Sequence, residues 1–97
     1  MLEKDIEAKV VKWAKAKGLL VRKMNGMGFA GWPDRLFVGD NGRCLWIEFK
    51  RPGGKLSVGQ QAIIASLHER GHIVFVVDDV AVGIDIISAF TIGDVPC

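Results

Sequence analysis

Two apolar arms around a short turn constrain the fold of this chain more than any other feature. The arms are residues 34–39 and 43–50, and the turn is the Asp-Asn-Gly triplet at residues 40–42, with glycine at the position that needs a left-handed backbone. Such a pattern predicts a β-hairpin. A hairpin closed by this turn pairs residues whose numbers add up to 82, so Asp34 should lie opposite Glu48.

Segments on either side of the hairpin predict three helices and two more strands, and hence the order αβββαβα. Residues 19–24 predict a strand, and residues 73–77 predict another that has no polar face, which favours a central or parallel strand. One helix should end at Gly18, and a second should run from Ser57 to Gly71. Residues at helical spacing mark the inward faces of the helices: Leu2, Ile6, Val10, Trp13 and Ala14; then Gln60, Ile63, Ile64 and Leu67; then, after a cap at Asp78 or Asp79, Val80, Ile84 and Ile87.

Length and composition exclude several classes of protein. Of the 97 residues, 49% are hydrophobic and 25% are charged, so residues 1–97 are expected to form one globular domain. The longest unbroken apolar run is residues 73–77, whereas a membrane-spanning helix needs about 20 such residues. Cys44 and Cys97 lack the spacing of a zinc site or a disulfide framework. The charged start argues against a secretory signal, so cytoplasmic residence is expected.

Charge is distributed unevenly along the chain. Residues 1–55 contain twelve Lys or Arg against six Asp or Glu, whereas residues 56–97 contain one against five. A basic half is a weak indication of nucleic acid, because cationic side chains replace the counterions around phosphates. Ordinary solvated faces also produce such an asymmetry, so this pattern alone names no partner.

The hairpin register brings three ionisable residues together at its open end. Asp34 lies opposite Glu48 at a Cβ separation of about 5 Å, and Lys50 shares the face of Glu48 because side chains alternate along a strand. Two carboxylates this close repel each other unless one is protonated or a cation such as Mg²⁺ bridges them. The pattern favours a metal site suited to phosphodiester hydrolysis. The alternative, which the spacing alone supports equally well, is an ordinary surface ion pair formed by the Glu48-Phe49-Lys50 triplet of an edge strand, with Asp34 an unrelated residue of a turn.

The same residues carry a family resemblance. Pro33-Asp34, followed after thirteen residues by Glu48-Phe49-Lys50, resembles the PD-(D/E)xK nuclease superfamily. More narrowly, residues 31–36 and 46–57 resemble the virus-type replication-repair nuclease (VRR-NUC) domain, and the resemblance extends over about residues 3–77. It implies a restriction-endonuclease-like α/β core, in which helices flank a mixed sheet.

The resemblance also implies roles for individual residues of the hairpin. Asp34 and Glu48 are implied as metal ligands, and the Phe49 carbonyl oxygen is implied to complete the site. Lys50 is implied as the catalytic lysine. Mg²⁺ is the implied cofactor, and Mn²⁺ is expected to substitute for it.

Gln60 and a glutamate of the first helix are implied at the border of the site. Glu3 and Glu7 lie one helical turn apart. We favour Glu7, because its distance from Gly18 fits the family pattern and Glu3 lies where the chain terminus can fray. Gln60 also completes a capping box with Ser57, and one side chain is not expected to serve both the cap and the site.

Basic residues beside these carboxylates and at the glycine loop are candidates for phosphate contacts. They are Arg22, Lys23, Arg35, Arg51 and Lys55. The loop itself, residues 26–31, matches the dinucleotide pattern G-x-G-x-x-G, but Trp32-Pro33 and a strand follow it where that site needs a helix. Members of the family commonly have a small aliphatic residue at the position of Trp32, so this tryptophan departs from the usual pattern. Stacking on a base and a contact at an interface are the alternative roles for it.

The resemblance therefore implies a Mg²⁺-dependent endodeoxyribonuclease. Stand-alone domains this small resemble phage or prophage proteins that act on branched DNA, in the cytoplasm of a bacterial or phage-infected cell. A two-fold homodimer with two sites on a four-way (Holliday) junction is the leading expectation. A flap or nicking nuclease of DNA repair and a catalytically silent DNA-binding module of the same fold are the alternatives.

Overall fold

The computed structural model of the protein describes residues 1–26, 28 and 30–93. Part of the predicted glycine loop (Met27 and Phe29) and residues 94–97 lie outside this described part. The elements follow the predicted order: α1 (Glu3–Ala16), β1 (Leu20–Lys23), β2 (Arg35–Val38), β3 (Cys44–Phe49), α2 (Val58–Glu69), β4 (Val74–Val77) and α3 (Val80–Thr91). None of the helices in this part of the chain has the length and apolar character of a membrane-spanning segment.

The four strands form one mixed sheet in the order β1-β2-β3-β4. The first two pairings are antiparallel, and β4 runs parallel to β3 at the edge of the sheet. Arg35 pairs with Ile47 and Val38 with Cys44, which confirms the predicted hairpin register. The turn achieves this with Asn41 at φ 60° and Gly42 at φ 75°, the left-handed backbone that its sequence favours.

Helices cover the two faces of the sheet unequally. On one face α1 and α3 pack over a core of residues such as Phe37, Ile47 and Phe90, all with no exposed surface. On the other face α2 packs over a smaller cluster around Trp46 and Val74. The more extensive core fixes the helices α1 and α3, and the smaller one positions α2.

The close approach of α1 and α3 depends on Gly83. A Cβ atom at this position would lie 2.6 Å from Val10 Cγ2, so the absence of a side chain lets the two helices come together. Trp13, predicted to be a packing residue, is instead 36% exposed, and that prediction is wrong. It lies at the flank of the buried stripe formed by Ile6, Val10, Val11 and Ala14, where its indole N–H donates to Ser88 Oγ at 3.3 Å.

Candidate active site

Three carboxylates meet at the end of the sheet that lies away from the hairpin turn. Asp34 immediately precedes β2, Glu48 lies in β3, and Glu3 begins α1. One oxygen of each lies within 4.8 Å of the others. Asp34 and Glu48 are 5% and 2% exposed, which is unusual for acidic residues. The ladder between β2 and β3 ends at Arg35 and Ile47, and Asp34 and Glu48 are the next residue on each side of that pair.

Asp34 is held by two donors. Its Oδ2 accepts a hydrogen bond from the Phe49 backbone N–H at 2.7 Å, and its Oδ1 accepts one from the Asn25 side-chain amide. Burial raises the pKa of Asp34, and the hydrogen bond from Phe49 opposes this increase by stabilising the carboxylate. Each carboxylate oxygen has a second lone pair, so both remain able to bind a further group.

Glu48 has one bonded oxygen and one that lacks a hydrogen bond. Oε2 accepts from the Gln60 amide at 3.0 Å and lies 3.4 Å from Lys50 Nζ. Oε1 is buried and has no hydrogen-bond partner among the described residues. Burial and the nearby Asp34 charge raise the pKa of Glu48 to about 7, although Lys50 lowers it. A buried oxygen without a partner is costly, and a cation bound beside it would remove that cost.

Gln60 connects this cluster to the start of α2. Its Oε1 accepts hydrogen bonds from Lys50 Nζ and from the Ser57 backbone N–H, each at 2.9 Å. The Ser57 hydroxyl in turn accepts from the Gln60 backbone N–H at 3.1 Å, which completes the capping box. The expectation that one glutamine would not serve both the cap and the site is therefore wrong. Both are possible because an amide oxygen accepts two hydrogen bonds while its nitrogen donates to Glu48.

The structure brings Glu3, and not the favoured Glu7, into the carboxylate cluster. Glu7 is instead paired with Arg35, whose Nε lies 2.6 Å from Glu7 Oε2. Fraying was the reason to disfavour Glu3, yet the backbone N–H groups of Asp5 and Ile6 both bond to the Leu2 carbonyl at 3.0 and 3.2 Å. The first turn of α1 is thus hydrogen-bonded, and Glu3 is our candidate for the helix carboxylate.

The donor set fits a hard divalent cation. Three carboxylates converge, two of them are buried, and one buried oxygen has no hydrogen-bond partner among the described residues. Oxygen ligands of this kind suit Mg²⁺ or Mn²⁺. The Phe49 N–H is used to hold Asp34, and the role of the Phe49 carbonyl as a ligand stays a prediction.

The candidate phosphate contacts divide into two groups. Arg22, Lys23, Arg51 and Lys55 have exposed side chains, whereas Arg35 is half-buried in its pair with Glu7. Lys23 pairs with Arg35 across β1 and β2, and the loop containing Arg51 follows β3 directly. Exposed cations therefore lie on the chain segments that lead to the carboxylates.

Asn25 is a site residue that the sequence reasoning missed. The β1–β2 pairing places Lys23 opposite Arg35, and the Met24 N–H bonds to the Asp34 carbonyl at 2.8 Å. Asn25 comes next and thus reaches the Asp34 side chain. A register for these strands would have indicated this, but their long connection, unlike a tight turn, sets no register.

Comparisons with known proteins show similarity to a phage protein and to a solved structure. The chain is 36% identical over 76 residues to a protein of Acyrthosiphon pisum secondary endosymbiont phage 1 named "Putative nuclease p44"; the match covers 78% of this chain and 82% of that protein. A solved structure described as a VRR-NUC domain matches with a TM-score of 0.80 and 27% identity, over 91% of this chain and 96% of that one. No model in a comparison with protein families matches the chain.

Proposed function

Because this chain belongs to the VRR-NUC family of nucleases, we propose that it is a metal-dependent endodeoxyribonuclease that cuts branched DNA. The observation that carries the proposal is the buried Glu48 Oε1, which has no hydrogen-bond partner within the described part of the chain and lies among three carboxylates. Stability alone gives no reason to bury such an atom. A cation that binds there and then contacts a phosphate would explain it.

Asp34, Glu48 and Glu3 are the residues that would hold the cation, with Mg²⁺ as the proposed ion and Mn²⁺ as a substitute. When bound, such an ion lowers the pKa of a water molecule and offsets negative charge on the phosphate. Asn25 and the Phe49 N–H hold Asp34 in place through its two oxygens. The orientation of the Asp34 carboxylate is thus fixed before any ion or DNA arrives.

Lys50 is the proposed catalytic cation of the chain itself. Its ammonium is held between Gln60 Oε1 at 2.9 Å and Glu48 Oε2 at 3.4 Å, and its side chain is only 15% exposed. A lysine fixed in this way can orient an attacking water molecule and stabilise charge that develops on the phosphate oxygens. Gln60 acts through Lys50 and Glu48, so we assign it a positioning role.

The exposed cations near this site are the proposed contacts to the DNA backbone. Arg22 and Lys23 lie on the edge strand β1, and Arg51 and Lys55 lie in the loop between β3 and α2. Arg35, the remaining candidate, would have to exchange its partner Glu7 for a phosphate. Contacts of this kind orient the duplex without reading its sequence.

Four-way junctions are the proposed substrate, and a homodimer is the proposed active form. The chain has a mass of only 10.6 kDa and one carboxylate cluster among its described residues, so a single copy can cut one strand at a time. Resolution of a junction requires paired cuts, and a two-fold dimer supplies two equivalent sites. The phage relative of this chain is itself named "Putative nuclease p44".

The test compares cleavage of a four-way junction, a flap and a linear duplex in Mg²⁺, in Mn²⁺ and in EDTA. We expect the junction to be cut fastest, EDTA to stop cleavage, and Asp34→Asn and Lys50→Ala each to reduce it by about 100-fold or more. Cleavage that survives both substitutions would refute the assigned site. Preference for the flap, or equal cutting of all three DNAs, would remove the junction proposal and leave the nuclease.

The dimer is tested separately by sedimentation at micromolar concentration. We expect a species of twice the 10.6 kDa chain mass, and a single species of 10.6 kDa with and without junction DNA would refute the dimer. Junction binding without any cleavage in either metal would favour the catalytically silent module.

A further inference from the structure

Trp32 lines a cleft that the proposed chemistry does not use. The cleft has a volume of about 170 Å³ and is formed by Trp32, Ile63, Ser66, Leu67 and Arg70. Most of its lining is apolar, and Arg70 supplies a cation whose Nη1 also donates a hydrogen bond to the Ser66 carbonyl oxygen at 3.0 Å. An apolar site of about 150 Å³ holds one benzene ring, so a cleft of this size can take a single aromatic ring system.

The cleft lies beside the catalytic cluster. Trp32 is two residues from Asp34, so their Cα atoms are at most about 7 Å apart. On α2, Ile63 and Leu67 follow Gln60 at helical spacing and continue the face that reaches the site. Gly31 packs closely on α2, because a Cβ atom there would lie 3.1 Å from the Gly59 carbonyl oxygen. Both sides of the cleft, the segment that contains Trp32 and the helix α2, therefore also carry residues of the carboxylate site.

The chemistry of the cleft matches that of a nucleotide. An indole provides a stacking surface for a base, and a guanidinium provides a contact for a phosphate. Trp32 also packs against Trp46, with ring centroids 5.5 Å apart and ring planes 49° apart. Because Trp32 and Asp34 are only two residues apart, a base held in the cleft would lie close to a phosphate held at the carboxylates.

We propose that the Trp32 cleft receives an unpaired nucleobase close to the phosphate that is cut. This inference rests on the proposed function and adds a reason for the preference for branched DNA. In a continuous duplex, neighbouring bases are stacked and paired, and none is free to enter the cleft. At a branch point or a gap, a base can leave the stack at little cost. Trp32 would then be a specificity residue for DNA structure.

The experiment measures binding, so that it does not depend on cleavage. Two duplexes of one sequence carry 2-aminopurine, either unpaired at a one-nucleotide bulge or paired, and each is titrated with the Lys50→Ala protein in Mg²⁺. Stacking on an indole should quench the unpaired probe more strongly than the paired one. In the same background, Trp32→Leu should weaken binding of the bulged DNA by about tenfold and leave the paired DNA unchanged, while Trp32→Phe keeps most of the affinity.

Trp13→Leu is the matched control, because Trp13 is an exposed tryptophan on α1, the helix on the other face of the sheet. Unchanged affinity of a folded Trp32→Leu protein for the bulged DNA would overturn the proposal. An equal loss for both DNAs would overturn it as well, since the indole would then serve the fold or a general contact. Dissociation of a parent dimer by Trp32→Leu would assign the cleft to a contact between copies. Quenching of the unpaired probe with no cleavage by the parent would refute the nuclease and leave only the binding of an unpaired base at this cleft.

Discussion

On the face of the sheet that α1 and α3 cover, β3 presents Leu45, Ile47 and Phe49, none of which has any exposed surface. On the other face the same strand presents Trp46 and the carboxylate of Glu48. The first face is apolar throughout, whereas the second places a charged group beneath a single helix. One strand of six residues therefore serves stability on one side and chemistry on the other. This division means that substitutions on the two faces should affect different properties.

The largest expected effect is a loss of stability when a residue of β2 is truncated on the face that α1 and α3 cover. A neighbouring residue of β2 that points to the opposite face provides the comparison. Phe37 has no exposed surface and belongs to the core below α1, so Phe37→Ala should lower the free energy of unfolding by about 3–5 kcal/mol. Leu36 is half-buried on the α2 face, and Leu36→Ala should cost roughly 1–2 kcal/mol. Urea unfolding of both variants measures the difference. Equal losses would show that the two faces contribute alike to stability.

The next effect separates the two tasks of Gln60 on the α2 face. Gln60→Ala removes the support of Lys50 and Glu48 and should slow cleavage by about 10- to 100-fold. Ser57→Ala, its matched control, removes the cap of α2 and should cost about 1 kcal/mol of stability while cleavage is retained. Cleavage rates and thermal melting of both variants are compared. If Ser57→Ala slowed cleavage as much as Gln60→Ala, the cap rather than the contact with Lys50 would be decisive.

A smaller effect concerns the helix pair on the apolar face. Gly83→Ala places a methyl group 2.6 Å from Val10 Cγ2 and should cost about 1–3 kcal/mol. Val10→Ala removes the clashing atoms, so the two substitutions together should cost less than the sum of their separate effects. Chemical unfolding of the parent, the two single variants and the double variant gives this coupling. If the free-energy costs of the two substitutions simply add, the new methyl group does not press on Val10. The helices α1 and α3 would then move apart easily to admit it.

The smallest effect is a pH dependence that originates on the α2 face. The pKa of Glu48 is raised from 4.5 to about 7 in the folded protein, so between these values the folded state holds a proton that the unfolded state has released. This contribution to stability is full below pH 4.5 and is lost as the pH rises through 7. In EDTA, the loss of this contribution should lower the free energy of unfolding by about 1 kcal/mol between pH 6 and pH 8.

Glu48→Gln isolates this contribution, because a glutamine cannot ionise. The difference in unfolding free energy between the variant and the parent should change by that amount over the same pH interval. Mg²⁺ should reverse the sign of the trend in the parent, since a cation favours the ionised carboxylate. An unchanged difference across the interval would mean that Glu48 titrates alike in the folded and unfolded chain.

Much of the fold could be predicted because its signals are local. The turn at residues 40–42 fixes the register of the hairpin, and hence the approach of Asp34 and Glu48. Helix boundaries followed from Ser57 as N-cap and from glycines such as Gly71, which has φ 85°. Short-range rules of this kind need no knowledge of the rest of the chain.

Other features could not be predicted, because they depend on distant segments. The choice between Glu3 and Glu7 depends on the position of α1 against the sheet, which in turn depends on Gly83 of α3. The contact of Asn25 with Asp34 depends on the pairing of β1 with β2 across a long loop. The position of β4 at the edge of the sheet also has no local signal. A wholly apolar strand of this kind could occupy the edge or the centre of a sheet with the same composition.

By itself the sequence determined the order of the elements, the register of the hairpin, and the presence of two carboxylates and a lysine at its open end. Only the tertiary structure decided which glutamate joins them, how Gln60 holds both the helix cap and Lys50, and that Glu48 Oε1 has no hydrogen-bond partner in the described part of the chain. The physical reason is the distance along the chain over which each kind of interaction acts. Turn geometry and strand alternation act over a few residues, whereas burial and the approach of charges require the packed helices.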